Sequence, residues 1–258
     1  MDQGLGPTST TTPLPPTDER LKVDLDLDDE PLWQWVGAAT GVAFVVAILA
    51  SAFIAPQPPH NDAAPTKILA YYVDHRRALL FSSWLGGLGV AFFLWFVGSL
   101  RGALGRALDS AAEFSAIAFA GGVAVAGTVL MATAINLSLV YRGVALQNNL
   151  ELVRLMYDIQ SLAFTIVFFG IAVFLAGAGL LTMRRRLGAP WLGVAAIVLA
   201  VYDLFAAGAI SEFGGVRSPT GPVAFGAFLS FAAWVLATSI ALMLRIRRRG
   251  GAERVPLS

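Results

Sequence analysis

Long apolar runs alternate with short polar segments along this chain. Six of the runs are long enough to cross a bilayer, since about 20 apolar residues in a helix span its hydrocarbon core. Backbone groups inside lipid find no water, so each run is expected to be helical. The runs cover about 35–55, 79–100, 114–140, 161–183, 191–211 and 223–244. The pattern predicts an all-α, polytopic transmembrane bundle of six helices, forming a membrane domain of residues 31–246.

The two ends of the chain lack this apolar pattern. Residues 1–30 are rich in acidic residues, threonine and proline, which predicts a disordered acidic tail. Within it, residues 21–30 begin by alternating apolar and charged positions, a pattern that fits either a solvated tail or a docking peptide for a cytosolic partner. Residues 247–258 are predicted to be a short basic tail.

Lysine and arginine are distributed unequally between the two sides of the predicted bundle. Basic clusters follow the second, fourth and sixth runs, and with the N-terminal tail that side holds twelve Lys and Arg against six on the other. Basic residues concentrate on the cytoplasmic side of membrane proteins. The chain is therefore predicted to be a multi-pass protein of the cell (plasma) membrane with both termini in the cytoplasm.

A further helix is predicted between the first two runs. After four prolines, residues 66–77 have helical periodicity, with Ile68, Leu69, Tyr72 and Val73 on one side. This is the pattern of an amphipathic interfacial helix before the second span. Arg76 falls within its apolar side, where it either extends to water or turns inward to a carboxylate.

Composition supports the membrane assignment and limits the kinds of functional site that the chain can form. The chain is 57% hydrophobic and 14% charged, with a mean hydropathy of +0.70 and a net charge of +1, so it has no basic field for nucleic acid. It has no cysteine and only two histidines, both in the predicted loop and helix region, and it lacks the common nucleotide-binding and hydrolase motifs. We therefore expect no catalytic residue, no metal site, no cofactor and no enzyme activity.

Asp203 is an acidic residue within the fifth apolar run. It lies twelve residues past Trp191, which places it about 18 Å into the membrane at 1.5 Å per residue. A carboxylate there costs about 2.5 to 3.5 kcal/mol, so a lipid-facing position is unfavourable. Small residues share its helical face, Ala196, Ala200, Ala206 and Ala207, so it is expected to face protein or a cavity. It serves either to hold helices together or as a proton or cation site.

Other polar residues gather toward the same outer half of the predicted bundle. Asn136 lies near the outer end of the third run, while Asp158, Ser161 and Thr165 follow one helical side at the entry to the fourth. With Arg76, these residues are predicted to line an outward-opening polar pocket that reaches toward Asp203. Alternatively, the serine and threonine side chains bond only to the backbone of their own helix, as is common in membrane helices.

Glycine is abundant, and Gly37 and Gly41 have the spacing of a close helix crossing. Such a crossing fits packing inside one bundle, and it leaves a homo-oligomer possible. Membrane lipids are the other expected partners of the apolar surface.

Two segments carry a family resemblance. The sequence Ile68-Leu-Ala-Tyr-Tyr-Val-Asp-His-Arg-Arg77, followed by Phe93-Leu-Trp-Phe-Val-Gly-Ser-Leu-Arg101, resembles uncharacterised actinobacterial membrane proteins of six or seven spans. The resemblance covers the first two spans and the helix between them, and it implies a bacterial plasma membrane. The acidic tail departs from that group.

Two functions remain open at this point. The first is an interaction or accessory membrane subunit that docks a partner through its tail. The second is a small proton-coupled transporter whose polar pocket reaches Asp203.

Overall fold

The computed structural model describes residues 30–105, 109–185, 190–211, 216, 218, 219 and 221–252. Predictions for residues 1–29 and 253–258 lie outside these residues. The described chain is helical, with α1 at Glu30–Ile54, α2 at Pro65–Asp74, α3 at Arg76–Gly105, α4 at Asp109–Arg142, α5 at Leu150–Arg185, α6 at Pro190–Ala207 and α7 at Pro222–Ala252. Short 3-10 turns follow α4 at Gly143–Leu146 and α6 at Gly208–Ser211.

Six of the described helices are long and apolar enough to cross a membrane, and α2 is not among them. The predicted all-α six-helix bundle is therefore confirmed, and the chain is a multi-pass integral membrane protein. The amphipathic segment before the second span also forms a separate helix, α2, which ends where the backbone leaves helical geometry at His75.

Five of the six long helices are longer than the apolar runs that predict them, whereas α6 ends at Ala207, before the end of its run. α5 begins at Leu150 rather than near Ser161, and α7 continues to Ala252, into the segment predicted as a basic tail. Apolar residues mark only the part of a helix that lies in lipid, whereas the backbone hydrogen bonds continue beyond it. With 34 and 36 residues, α4 and α5 are about 51 and 54 Å long, which exceeds the ~30 Å hydrocarbon core.

The six long helices form a ring in which each packs against two neighbours. The order around the ring is α1, α3, α4, α5, α6, α7 and back to α1. Among the six, α5 has the largest share of its apolar window buried. We refer below to the end of the bundle that carries α2 as the α2 end, and to the opposite end as the arginine-rich end.

Aromatic side chains fill the centre of the ring. Phe44 of α1, Phe93 of α3, Phe174 of α5 and Phe231 of α7 contact one another with ring centroids 5.0 to 6.2 Å apart. Trp234 adds an edge contact to Phe174 at 5.8 Å, and its indole N–H donates to the Leu192 carbonyl at 3.0 Å. All five side chains are buried. We call them the aromatic cluster, and they join helices from opposite sides of the ring.

Glycines bring α5 close to both of its neighbours. A Cβ on Gly121 of α4 would lie 2.5 Å from the Phe174 backbone nitrogen, and one on Gly177 of α5 would lie 2.7 Å from the Ala118 nitrogen. On the other side of α5, Gly179 and Gly193 of α6 approach each other's backbone in the same way. Such close approach increases the van der Waals contact that holds membrane helices together.

Gly37 and Gly41 lie inside the bundle. A Cβ on Gly37 would collide with Ser99 of α3, and one on Gly41 would collide with Ser239 of α7 and Phe96 of α3. Both glycines therefore serve packing within one chain, which was one of the two readings of their spacing.

Candidate functional site

Asp203 is completely enclosed by protein, with 0% of its surface exposed. Helix α6 places Ala196, Ala200 and Ala207 on the same buried face, as the run of small residues indicated. Seven residues separate Asp203 from the end of the apolar stretch at Ile210, so it lies about 10 Å from the α2 end of that stretch. The carboxyl is therefore inside both the bundle and the apolar layer.

Helix α6 packs against α5 through the face that carries Asp203. The contacts of Gly193 with Met183, and of Ala196 with Gly179, set the antiparallel register of the two helices. Continuing that register brings Asp203 level with Ala172 and Val173. Among the described residues, neither carboxyl oxygen of Asp203 has a hydrogen-bond partner. No hydrogen bond within the described residues therefore joins this side chain to another helix.

The other predicted site residues form separate local pairs. Asn136 donates to the Ser83 hydroxyl at 3.2 Å, joining α4 to α3, and Thr165 donates to the Ser161 carbonyl at 3.0 Å. Asp158 pairs with Arg154, one turn earlier on α5, at 2.9 Å. No hydrogen bond joins any of them to Asp203 in the described part of the chain. These bonds are thus made to groups other than Asp203, and the shared pocket stays a prediction.

Arg76 points away from the bundle interior. It is exposed, and its guanidinium carbon lies 5.8 Å from the centroid of the Tyr141 ring. Of the two orientations that the sequence allows, the structure has the outward one. Stacking on an aromatic face lets the cation stay in water while its stem covers apolar surface.

The loop of residues 55–64 and helix α2 pack mainly on the adjacent ends of α4 and α5, and we call this segment the cap. Ile68 and Tyr72 of α2 are 0% and 2% exposed, and they pack with Leu139 of α4 and with Val153 and Tyr157 of α5. The apolar face of α2 therefore packs on the ends of the two longest helices. This packing explains why α5 remains helical beyond its apolar run.

Hydrogen bonds fix the loop of the cap to the helices. Tyr157 donates to the Pro59 carbonyl, and Tyr71 donates to the Pro56 carbonyl at 2.9 Å. Arg154 donates to the Ala63 carbonyl at 2.9 Å while it also pairs with Asp158. Burial raises the pKa of Tyr71 to about 12. Its phenol therefore remains a neutral donor throughout the physiological range.

Removing the Tyr157 hydroxyl is expected to loosen the cap. In Tyr157→Phe the buried Pro59 carbonyl loses its hydrogen-bond donor. The free energy of opening the cap should fall by about 1 to 2 kcal/mol, so the amides of residues 60–64 should exchange about tenfold faster. Hydrogen exchange read by mass spectrometry measures this rate. Tyr141→Phe is the control because Tyr141 is exposed. Equal exchange in both variants would contradict the assigned role of Tyr157.

Sequence reasoning missed most of the cap. Arg154 and Asp158 are spaced i, i+4 on a helix, which is the spacing of a side-chain ion pair, so that contact was readable from the sequence. Tyr71, Tyr72 and Tyr157 bond to carbonyl or amide oxygens of residues distant in the chain, Pro56, Gln160 and Pro59. No local pattern indicates such contacts.

No family model, curated protein or solved structure matches the chain. Function is therefore argued from the chemistry of the described residues.

Proposed function

We propose that this integral membrane protein is an accessory or interaction subunit, without enzyme activity of its own. The observation that carries the proposal is the filled interior. The aromatic cluster occupies the centre of the ring, and the cap packs on the ends of α4 and α5. A bundle whose centre is packed with side chains is suited to hold a shape for a partner.

The distribution of polar groups supports the same proposal. A solute path needs convergent polar groups along a cavity. Here Asn136, Thr165 and one oxygen of Asp158 each bond to a neighbouring group, and no hydrogen bond within the described residues joins them to Asp203. These bonds stabilise the bundle itself.

Residues 21–30, which include part of the chain outside the described residues, are the proposed docking segment. Leu25→Ser with Leu27→Ser would remove half of the apolar positions of its alternating pattern, whereas Thr10→Ala with Thr11→Ala changes the tail elsewhere. After cross-linking in native membranes, a stoichiometric partner should be recovered with wild type and with the threonine variant, but lost with the leucine variant. Recovery of the same proteins with all three would overturn the docking role.

A second candidate is a small proton-coupled transporter, and one observation favours it. Both oxygens of Asp203 lack partners within the described residues, and such buried acids in membrane proteins mark proton or ion pathways. A transporter would have to open the interior at some stage of its cycle. The two candidates therefore differ in whether water reaches Asp203.

We further propose that the chain resides in a bacterial plasma membrane with its arginine-rich end in the cytoplasm, which the twelve-to-six distribution of basic residues supports. The chain has no cysteine, so labelling of a single introduced cysteine shows on which side of the membrane that residue lies. A membrane-impermeant maleimide should label His75→Cys in intact cells and Gly251→Cys only after permeabilisation. The reverse pattern would invert the topology.

A further inference from the structure

Two arginines at the arginine-rich end stack on phenylalanines of α4. The guanidinium carbon of Arg101, on α3, lies 4.8 Å from the centroid of Phe119, and that of Arg184, on α5, lies 4.6 Å from the centroid of Phe114. Both arginines are exposed. A guanidinium that stacks through its face keeps its N–H groups directed outward in the ring plane, where they can bind a planar or tetrahedral anion.

The two arginines lie beside a small crevice between α3, α4 and α5. Arg101 and Phe119 line it directly, together with Leu100 and Ser115, and Leu181 lines it one helical turn before Arg184. Its volume is about 10 Å³, room for one water or one anion oxygen. Most of the side chains that line the crevice are apolar, and Arg101 and Ser115 supply its polar groups.

Ser115 gives an independent indication of a ligand. It is 3% exposed, and its hydroxyl has no hydrogen-bond partner among the described residues, although serine in a helix usually bonds to its own backbone. An unpaired buried hydroxyl costs free energy, so native structures supply a partner for it. An oxygen in the crevice would be that partner.

The depth of the arginines identifies the kind of anion. Arg101 directly follows the apolar run 79–100, and Arg184 directly follows the run 161–183. Both therefore lie where the hydrocarbon core meets the headgroups. The anions that concentrate at this level are lipid phosphates.

We propose that Arg101 and Arg184 bind the phosphate of an anionic phospholipid, with Ser115 binding one oxygen in the crevice below. No carboxylate in the described part of the chain forms an ion pair with either arginine. Glu113 is exposed on the first turns of α4, beside Phe114, and lowers the positive potential there. A zwitterionic lipid is disfavoured because its ammonium group is repelled by the two guanidinium groups.

Native mass spectrometry of the full chain in detergent tests the proposal with phosphatidylglycerol, phosphatidylcholine and inorganic phosphate as probes. Wild type should bind phosphatidylglycerol tightest. Arg101→Gln with Arg184→Gln should weaken that binding about tenfold or more, and Ser115→Ala should weaken it about threefold. Glu113→Gln should leave it unchanged or tighten it. Arg76→Gln is the matched control, because Arg76 also stacks on an aromatic ring but at the α2 end.

Three results would overturn the site. The first is that the double variant binds phosphatidylglycerol within about twofold of the wild-type affinity. The second is that wild type binds phosphatidylcholine as tightly as phosphatidylglycerol. The third is that millimolar inorganic phosphate competes fully with the lipid, which would indicate a site for free phosphate. If the double glutamine variant does not fold, Arg101→Lys with Arg184→Lys provides a second test. It keeps both positive charges but loses the planar guanidinium groups, which can each donate two parallel hydrogen bonds to a phosphate. That variant should still lose binding severalfold, and unchanged binding would contradict the proposal.

Discussion

Gly121→Val is expected to lower the free energy of unfolding by about 3 kcal/mol, at the upper end of the cost of overpacking. The helix α4 backbone passes so close to α5 that a Cβ at Gly121 would lie 2.5 Å from the Phe174 nitrogen and 2.9 Å from its Cα. Those are backbone atoms, which cannot turn aside as a flexible side chain would. The two helices would have to separate, and contact along α4 and α5 would be lost.

Gly127→Val provides the control for this prediction. It lies on the same helix, and a Cβ there meets nothing within 4 Å. Unfolding in detergent, followed by circular dichroism as denaturant is added, compares the two variants with wild type. If both variants unfold at the wild-type midpoint, the close approach of α4 and α5 is wrong.

Phe231→Ala is also expected to lower the free energy of unfolding by about 3 kcal/mol. Deleting a buried phenylalanine leaves a cavity, and the side chains that line the cavity lose their contacts. Phe231 meets Phe44, Phe93 and Phe174 at centroid distances of 5.8 to 6.2 Å. It thereby connects α7 to three other helices. Since the neighbours of α7 in the ring are α1 and α6, loss of its contacts across the ring should loosen α7 first.

Phe225→Ala is the matched control on α7, since Phe225 is 54% exposed. Hydrogen exchange of the α7 amides and the unfolding midpoint in detergent measure both variants. Phe231→Ala should accelerate exchange in α7 and lower the midpoint, whereas Phe225→Ala should change neither by a comparable amount. Equal effects of the two substitutions would mean that the aromatic cluster does not hold the ring together.

The fold was predictable because its main determinant is local. A run of about 20 apolar residues must be helical in a bilayer whatever its neighbours are, so six runs gave six long helices. The enclosed position of Asp203 was also readable, since the alanines on its face follow from helical spacing alone. Both inferences need only the sequence within one element.

The aromatic cluster and the cap were not predictable for a physical reason. Phe44, Phe93 and Phe231 lie in runs that are apolar on all sides, and lipid is as apolar as a protein core, so hydrophobicity does not tell an inward phenylalanine from a lipid-facing one such as Phe225. The hydrogen-bond partners of the polar residues were also not predictable, because depth along a helix does not fix direction around it. Asn136 turns to Ser83 of α3, while Asp158 turns to Arg154 on its own helix.

We expect the interior around Asp203 to be closed to water, and thiol labelling of Asp203→Cys measures whether it is. His60→Cys, exposed in the cap, is the positive control, and Val201→Cys, 64% exposed on the outer face of α6, reports a lipid-facing position. In membranes treated with a water-soluble maleimide from either side, position 60 should be labelled, and positions 203 and 201 should not. Labelling at position 203 from the α2 end, with position 201 unlabelled, would contradict the closed interior and favour the transporter.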